Sequence, residues 1–131
     1  MITGSCLCGQ VRFEIDDELR SARYCHCSNC RKFSGTSPAA WAMANAKKMK
    51  LSSQDMAGSF DSGRGIRRFC QRCGSPVWFE SKEFPDIVGI PLGVLDSGVV
   101  PQPAMHLWTT SKPEWCVIHD GLPKLERGPD A

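Results

Sequence analysis

Seven of the eight cysteines in this 131-residue chain fall into three tight groups: Cys6-Leu7-Cys8-Gly9, Cys25-His26-Cys27-Ser28-Asn29-Cys30 and Cys70-Gln71-Arg72-Cys73-Gly74. Intervals of two and three residues let neighbouring thiolates share one ion, whereas disulfide staples join distant positions. Cys6, Cys8, Cys70 and Cys73 together supply four thiolates, enough to close a tetrahedral structural zinc site. In C-x-x-C-G the glycine after the second cysteine permits the positive φ that a tight knuckle needs. The C-x-C-G pair is expected to present both sulfurs from one side of an extended segment, since strand side chains alternate. The competing reading of these four is a pair of redox-active dithiols.

Cys25, Cys27 and Cys30 form a set of three. Three thiolates hold a second zinc and leave one position open, which is how catalytic zinc sites are built. Cys116, the remaining cysteine, could close the site. In Trp115-Cys116-Val117 it also reads as a small core residue. His26 lies between two ligands and should point to the opposite strand face. His106 and His119 read as surface or capping residues, His106 being the better candidate for a fourth ligand. Trp41, Trp78, Trp108 and Trp115 are assigned to the core. No G-x-G-x-x-G, phosphate loop, H-E-x-x-H or Ser-His-Asp pattern occurs.

These residues need rigid short elements around them. QVRFEI alternates Val11, Phe13 and Ile15 with polar residues, and SARYCHC reads as a second strand. Ser28-Asn29 is turn chemistry, CRKFSG a short helical turn ended by Gly35, and SPAAWAMA either strand or helix. GSFDSGRG suggests a hairpin, IRRFC leads into the Cys70 knuckle, and Pro76–Glu80 leaves it as a strand. Gly89, Pro91 and Gly93 break DIVGIPLGVLD against a long helix, and Met105–Thr110 reads as a strand. The fold is expected to be mainly β, with short strands joined by turns in one domain over residues 1–131.

Hydrophobic residues at 41% and charged residues at 23% are an ordinary globular mix. MITGSCLCGQ has neither the basic nor the apolar region of a secretory signal, and no apolar run approaches the ~20 residues that span a bilayer. A cytoplasmic protein without a membrane partner is expected. The formal charge is +2, but two thiolate-bound zincs bring the loaded protein to about −1. Residues 1–75 carry twelve Lys and Arg against six Asp and Glu. That excess surrounds the proposed metals and does not support nucleic-acid binding.

GSCLCGQVRFEI, YCHCSNCRKFSG, RRFCQRCGSPVWFES, VGIPLGVLD and HLWTTSKPEWCVIHDGLP, in this order over about residues 3–123, resemble the glutathione-dependent formaldehyde-activating enzymes. Their domain also occurs in centromere protein V. The resemblance implies a small zinc-stabilised β-tent of short antiparallel strands with two zincs per chain. Cys6, Cys8, Cys70 and Cys73 match the family's structural ligands, and Cys25, Cys27 and Cys30 its catalytic ones. It also implies a carbon–sulfur lyase-type activity, in which a small-molecule thiol such as glutathione condenses with formaldehyde or another aldehyde to S-(hydroxymethyl)glutathione. Arg31 and Lys32, beside Cys30, could meet a substrate carboxylate. Of Arg67 and Arg68, alternation lets at most one face the site. The alternative is a non-catalytic zinc module that mediates protein interaction. A metal-storage module would need a labile second zinc.

Overall fold

Two sheets enclose the main core, as seen in a computed structural model that describes residues 1–52 and 54–128. The strands are β1 (Ile2–Ser5), β2 (Arg12–Ile15), β3 (Arg20–Cys25), β4 (Ala39–Asn45), β5 (Met49–Leu51), β6 (Ala57–Asp61), β7 (Gly65–Cys70), β8 (Pro76–Ser81), β9 (Ile87–Pro91), β10 (Leu95–Ser97) and β11 (His106–Leu107). One sheet has the order β10-β1-β2-β5, the other β11-β3-β4-β9-β8-β7-β6. All pairings are antiparallel except β11 with β3. The mainly β expectation therefore holds, with one parallel pair added.

Alternation assigns the faces. Phe13 and Ile15 of the smaller sheet pack with Ala42, Ala44, Val88 and Ile90 of the larger one, giving the main core. The other face of the larger sheet carries a second cluster of Cys25, Cys27, Cys30, Ala39, Trp41 and Phe79. Register aligns Met43 with Gly89, Gly89 with Phe79 and Phe79 with Arg67, forming a row of neighbours across four strands.

Several elements differ from their sequence reading. SPAAWAMA is settled as β4, because both of its faces are covered and β3 and β9 pair with its edges. Ser28-Asn29 is the first turn of helix α1 (Ser28–Ser34), since the Cys27 sulfur caps the Cys30 N–H at 3.2 Å and displaces a free turn. The helix ends at Gly35, φ 76°, as expected. The strand foreseen over Met105–Thr110 shrinks to His106–Leu107. Trp108 takes the left-handed conformation, φ 57°, and Thr109–Ser111 coil into a 3₁₀ turn. Trp41 and Trp78 are buried, but Trp115 is exposed and lies outside the core.

Gly65 illustrates how tightly the second cluster is built. A Cβ there would strike the Phe79 ring and the Glu80 carbonyl. Gly65→Ala is expected to destabilise the fold by about 1–3 kcal/mol, the range for overpacking. Urea denaturation checks this, and an unchanged midpoint would contradict it.

Candidate metal centres and active site

All eight cysteines are unbridged. The sulfurs of Cys6, Cys8, Cys70 and Cys73 lie within 4.8 Å of one another, with Cys6–Cys8 at 3.6 Å and Cys8–Cys70 at 3.7 Å. Both pairs sit on tight turns. Gly74 N–H bonds the Cys70 carbonyl at 2.8 Å, and Gly9 N–H bonds the Cys6 carbonyl at 3.1 Å. Gly9 and Gly74 have φ of 80° and 79°, values that favour glycine. The C-x-C-G pair is thus a second knuckle and not an extended segment, because Gly9 reverses the chain so that Val11 N–H reaches back to Cys6. Leu7 N–H to Ser75 Oγ, at 3.0 Å, joins the two knuckles.

The donor set suits a metal. Backbone N–H groups of Val11, Arg72 and Cys73 point at the sulfurs of Cys6 and Cys70 at 3.3–3.5 Å. Such bonds are strongest to a charged acceptor. Hydrogen bonds from the Ser75 hydroxyl and N–H also draw the Cys73 thiol down to about 5, against the opposing effect of burial. The cluster ties the end of β1 to the turn between β7 and β8, and so ties one sheet to the other.

Cys25, Cys27 and Cys30 likewise lie with their sulfurs within 4.8 Å, and all three are buried. Cys25 ends β3, Cys27 caps α1 and Cys30 sits in its first turn. Hydrogen bonds from the Cys25 and Cys30 thiols hold Cys27 well below the ordinary thiol range, and burial opposes this only in part. Bonding to Cys27 and Cys30, followed by burial, holds Cys25 far above that range. A cluster so divided holds its charge unevenly until a cation lets all three sulfurs ionise.

Among the described residues, no other His, Cys, Asp or Glu joins this set. Cys116 is buried, but its sulfur bonds the Ser37 carbonyl at 3.3 Å and faces His26 Nδ1 at 3.9 Å. His106 is buried and not at the surface. Its Nδ1 accepts from His26 Nε2 at 2.8 Å, and its Nε2 donates to Asp120 at 3.0 Å. Burial, then the neighbouring His106, pull His26 down to about 4, so it stays neutral at physiological pH. Both candidates for a fourth ligand are therefore committed elsewhere, and the His26–His106–Asp120 chain braces the C-x-C segment from behind.

The second cluster opens on a cavity of about 20 Å³ lined by Arg23, Cys25, Cys30, Trp41, Phe79 and Arg67. Arg67, 3% exposed, places Nη1 and Nη2 at 3.8 and 3.7 Å from Cys30 Sγ. Its guanidinium lies 5.4 Å from the Phe33 ring and 4.9 Å from Phe79, and its Nε donates to Ser62 Oγ at 3.1 Å. Arg68 turns the other way and bonds Glu80 at 2.6 Å, as alternation requires.

The family model of the glutathione-dependent formaldehyde-activating enzyme matches residues 1–111. The chain belongs to this family. The glutathione-dependent formaldehyde-activating match stops short of the full 3–123 span of the sequence resemblance. Among relatives, a Halomonas elongata protein provisionally named a glutathione-dependent formaldehyde-activating enzyme is 29% identical over 129 residues, covering 90% of this chain and 81% of that one. A crystal structure of a Rhodobacter sphaeroides protein superimposes with a TM-score of 0.62 at 26% identity, covering 76% of this chain and 91% of that one.

For this family member, Arg31 and Lys32 lie on α1, half-buried and exposed respectively, and neither lines the cavity. The arginines that do so are Arg23 and Arg67. Arg23 went unnoticed in the sequence. The available signal was its position two residues before Cys25, which puts both on one face of β3.

Proposed function

We propose that this domain is a zinc-dependent carbon–sulfur lyase-type enzyme that adds a small-molecule thiol to formaldehyde, with S-(hydroxymethyl)glutathione as the product where glutathione is the thiol. The observation that carries this reading is a buried triad of cysteines, with no fourth protein ligand among the described residues, at the base of a cavity. Cys6, Cys8, Cys70 and Cys73 would hold a structural zinc, and Cys25, Cys27 and Cys30 a second. Zinc at the second site supplies a Lewis acid with an exchangeable position for substrate.

The chain's own groups do the rest. Arg67 donates to Cys30 and lends positive charge beneath the cavity, so a substrate sulfur entering as thiolate is favoured over the neutral thiol. Arg23 adds a second cation to the lining. Trp41 and Phe79 keep bulk water from the reacting atoms. The sulfur lone pair then forms the S–C bond, the carbonyl π pair moves to oxygen, and the thiol's proton ends on that oxygen. Nothing is oxidised or reduced. Arg31 and Lys32 remain candidates for guiding an anionic substrate towards the site.

Eight unbridged thiols suit a reducing compartment, and the cytoplasm is the proposed location. No helix among the described residues is long and apolar enough to cross a membrane. Condensation of formaldehyde with glutathione, followed by NMR, is expected to exceed its spontaneous rate at least about a hundredfold when the zinc-loaded protein is present. Equal rates with and without protein would remove the glutathione assignment and favour an interaction module.

A further inference from the structure

His26 stands between two ligands of the buried triad, and its ring leads away from them along a chain of hydrogen bonds that reaches the surface. Its Nε2 donates to His106 Nδ1 at 2.8 Å, and His106 Nε2 lies 3.0 and 3.1 Å from the two oxygens of Asp120. The two histidines are 0% and 3% exposed, whereas the Asp120 side chain is 42% exposed. Asp120 is itself fixed, since Leu122 N–H donates to its Oδ1 at 3.1 Å. It lies beyond the residues that the family model matches.

The direction of every bond in this chain follows from its outer end. A carboxylate only accepts, so His106 carries its proton on Nε2 and offers Nδ1 as an acceptor. His26 must then be the donor, with its proton on Nε2 and a bare Nδ1. That Nδ1 faces the Cys116 sulfur at 3.9 Å, and the Cys116 thiol donates to the Ser37 carbonyl at 3.3 Å. Without Asp120 the chain could run either way. In the reversed arrangement the His26 proton lies on Nδ1 and meets a thiol already given to Ser37, so a buried donor is left with a poor acceptor.

Residue 26 is held at both its backbone and its ring. The His26 N–H donates to the Leu107 carbonyl at 2.9 Å, where β11 runs beside β3. His106, which anchors the ring, is fixed in turn. Its N–H donates to the Pro123 carbonyl at 2.9 Å, its carbonyl accepts from Leu125 N–H at 2.8 Å, and its ring stacks on Tyr24 with centroids 5.0 Å apart. The two anchors set how residue 26 turns, and the side-chain directions of Cys25 and Cys27 follow as its chain neighbours.

We propose that Asp120 is a positioning residue for the second zinc. By accepting from His106 it gives the His26–His106 bond a single direction, which holds the Cys25-His26-Cys27 backbone where the three sulfurs converge. The role rests on the reading of the triad as a zinc site. It belongs to a side chain that lies outside the cavity lining.

Chelator competition on the two-zinc protein tests this, the second zinc being identified as the one absent from Cys30→Ser. Asp120→Ala is expected to weaken the second zinc at least about tenfold, with the first zinc and the thermal midpoint unchanged. Asp120→Asn should keep the wild-type affinity, because Leu122 N–H orients its amide oxygen to accept in the same place. Histidine tautomers, read by nitrogen NMR on the same samples, should show the proton on Nε2 of both His26 and His106 in wild type and Asp120→Asn, and a mixture in Asp120→Ala. The proposal is overturned by an unchanged second zinc in Asp120→Ala, by equal weakening of both zincs, by an Asp120→Asn as weak as Asp120→Ala, or by a wild-type His26 proton on Nδ1. One zinc in the wild type sinks the reading of the triad and this role with it. Two zincs and the expected order of variants, without acceleration of thiol–formaldehyde condensation, support the role and sink the lyase reading alone.

Discussion

Cys30→Ser is expected to yield a folded protein that holds one zinc instead of two and has lost at least about a hundredfold in condensation rate. The side chain lies in the cluster on the outer face of the larger sheet, apart from the core between the sheets. Serine is nearly isosteric and leaves the α1 backbone and its Cys27 cap in place. What disappears is one of three thiolates and the acceptor for Arg67. A hydroxyl ionises far less readily than a thiol, so affinity for zinc falls steeply while packing changes little. The loss in rate follows from removal of the Lewis acid, a contribution of several kcal/mol in such sites. Metal analysis and circular dichroism on the same sample check the two halves. Two retained zincs, or a collapsed fold, would refute the division of labour between the clusters.

Cys70→Ser is expected to remove the fold itself, and with it both zincs and the condensation activity. Cys70 is fully buried and belongs to the main core as well as to the four-sulfur cluster. Its sulfur also receives the N–H groups of Arg72 and Cys73. Structural zinc sites contribute about 10 kcal/mol or more of apparent binding free energy, comparable to the whole stability of a small domain. The knuckles at Cys6 and Cys70 tie the two sheets together at that end, and the Leu7–Ser75 bond joins them directly. A cooperative thermal transition is therefore expected in Cys30→Ser and absent in Cys70→Ser. Strong chelators should reproduce this order, stripping the second zinc at lower concentration than the first. Cooperative melting of Cys70→Ser near the wild-type temperature would show the first cluster to be dispensable.

Much of this protein was legible before its fold was known, and the reason is local. Cysteine intervals of two and three residues state which sulfurs can meet within one turn, and glycines at 35 and 74 mark where the backbone takes positive φ. Alternation in β7 separated Arg67 from Arg68 without any coordinates. Alternation misled at Cys6–Cys8, where a turn overrides the strand, while His26 stays out of the cysteine set and is held by His106.

The sequence by itself determined the three cysteine groups, the mainly β character and the expectation of two metal clusters, because each depends on residue type and short spacing. Only the tertiary structure decided what surrounds the second cluster. Arg23, Trp41, Phe79 and Arg67 come from β3, β4, β8 and β7, and a common face becomes a common cavity only once strand order and register are set. Cys116 and His106 were likewise removed as ligands by contacts 90 and 80 residues away in sequence, respectively. Side-chain periodicity fixes the face on which a residue sits, whereas pairing across the sheet, which is non-local, fixes its neighbours.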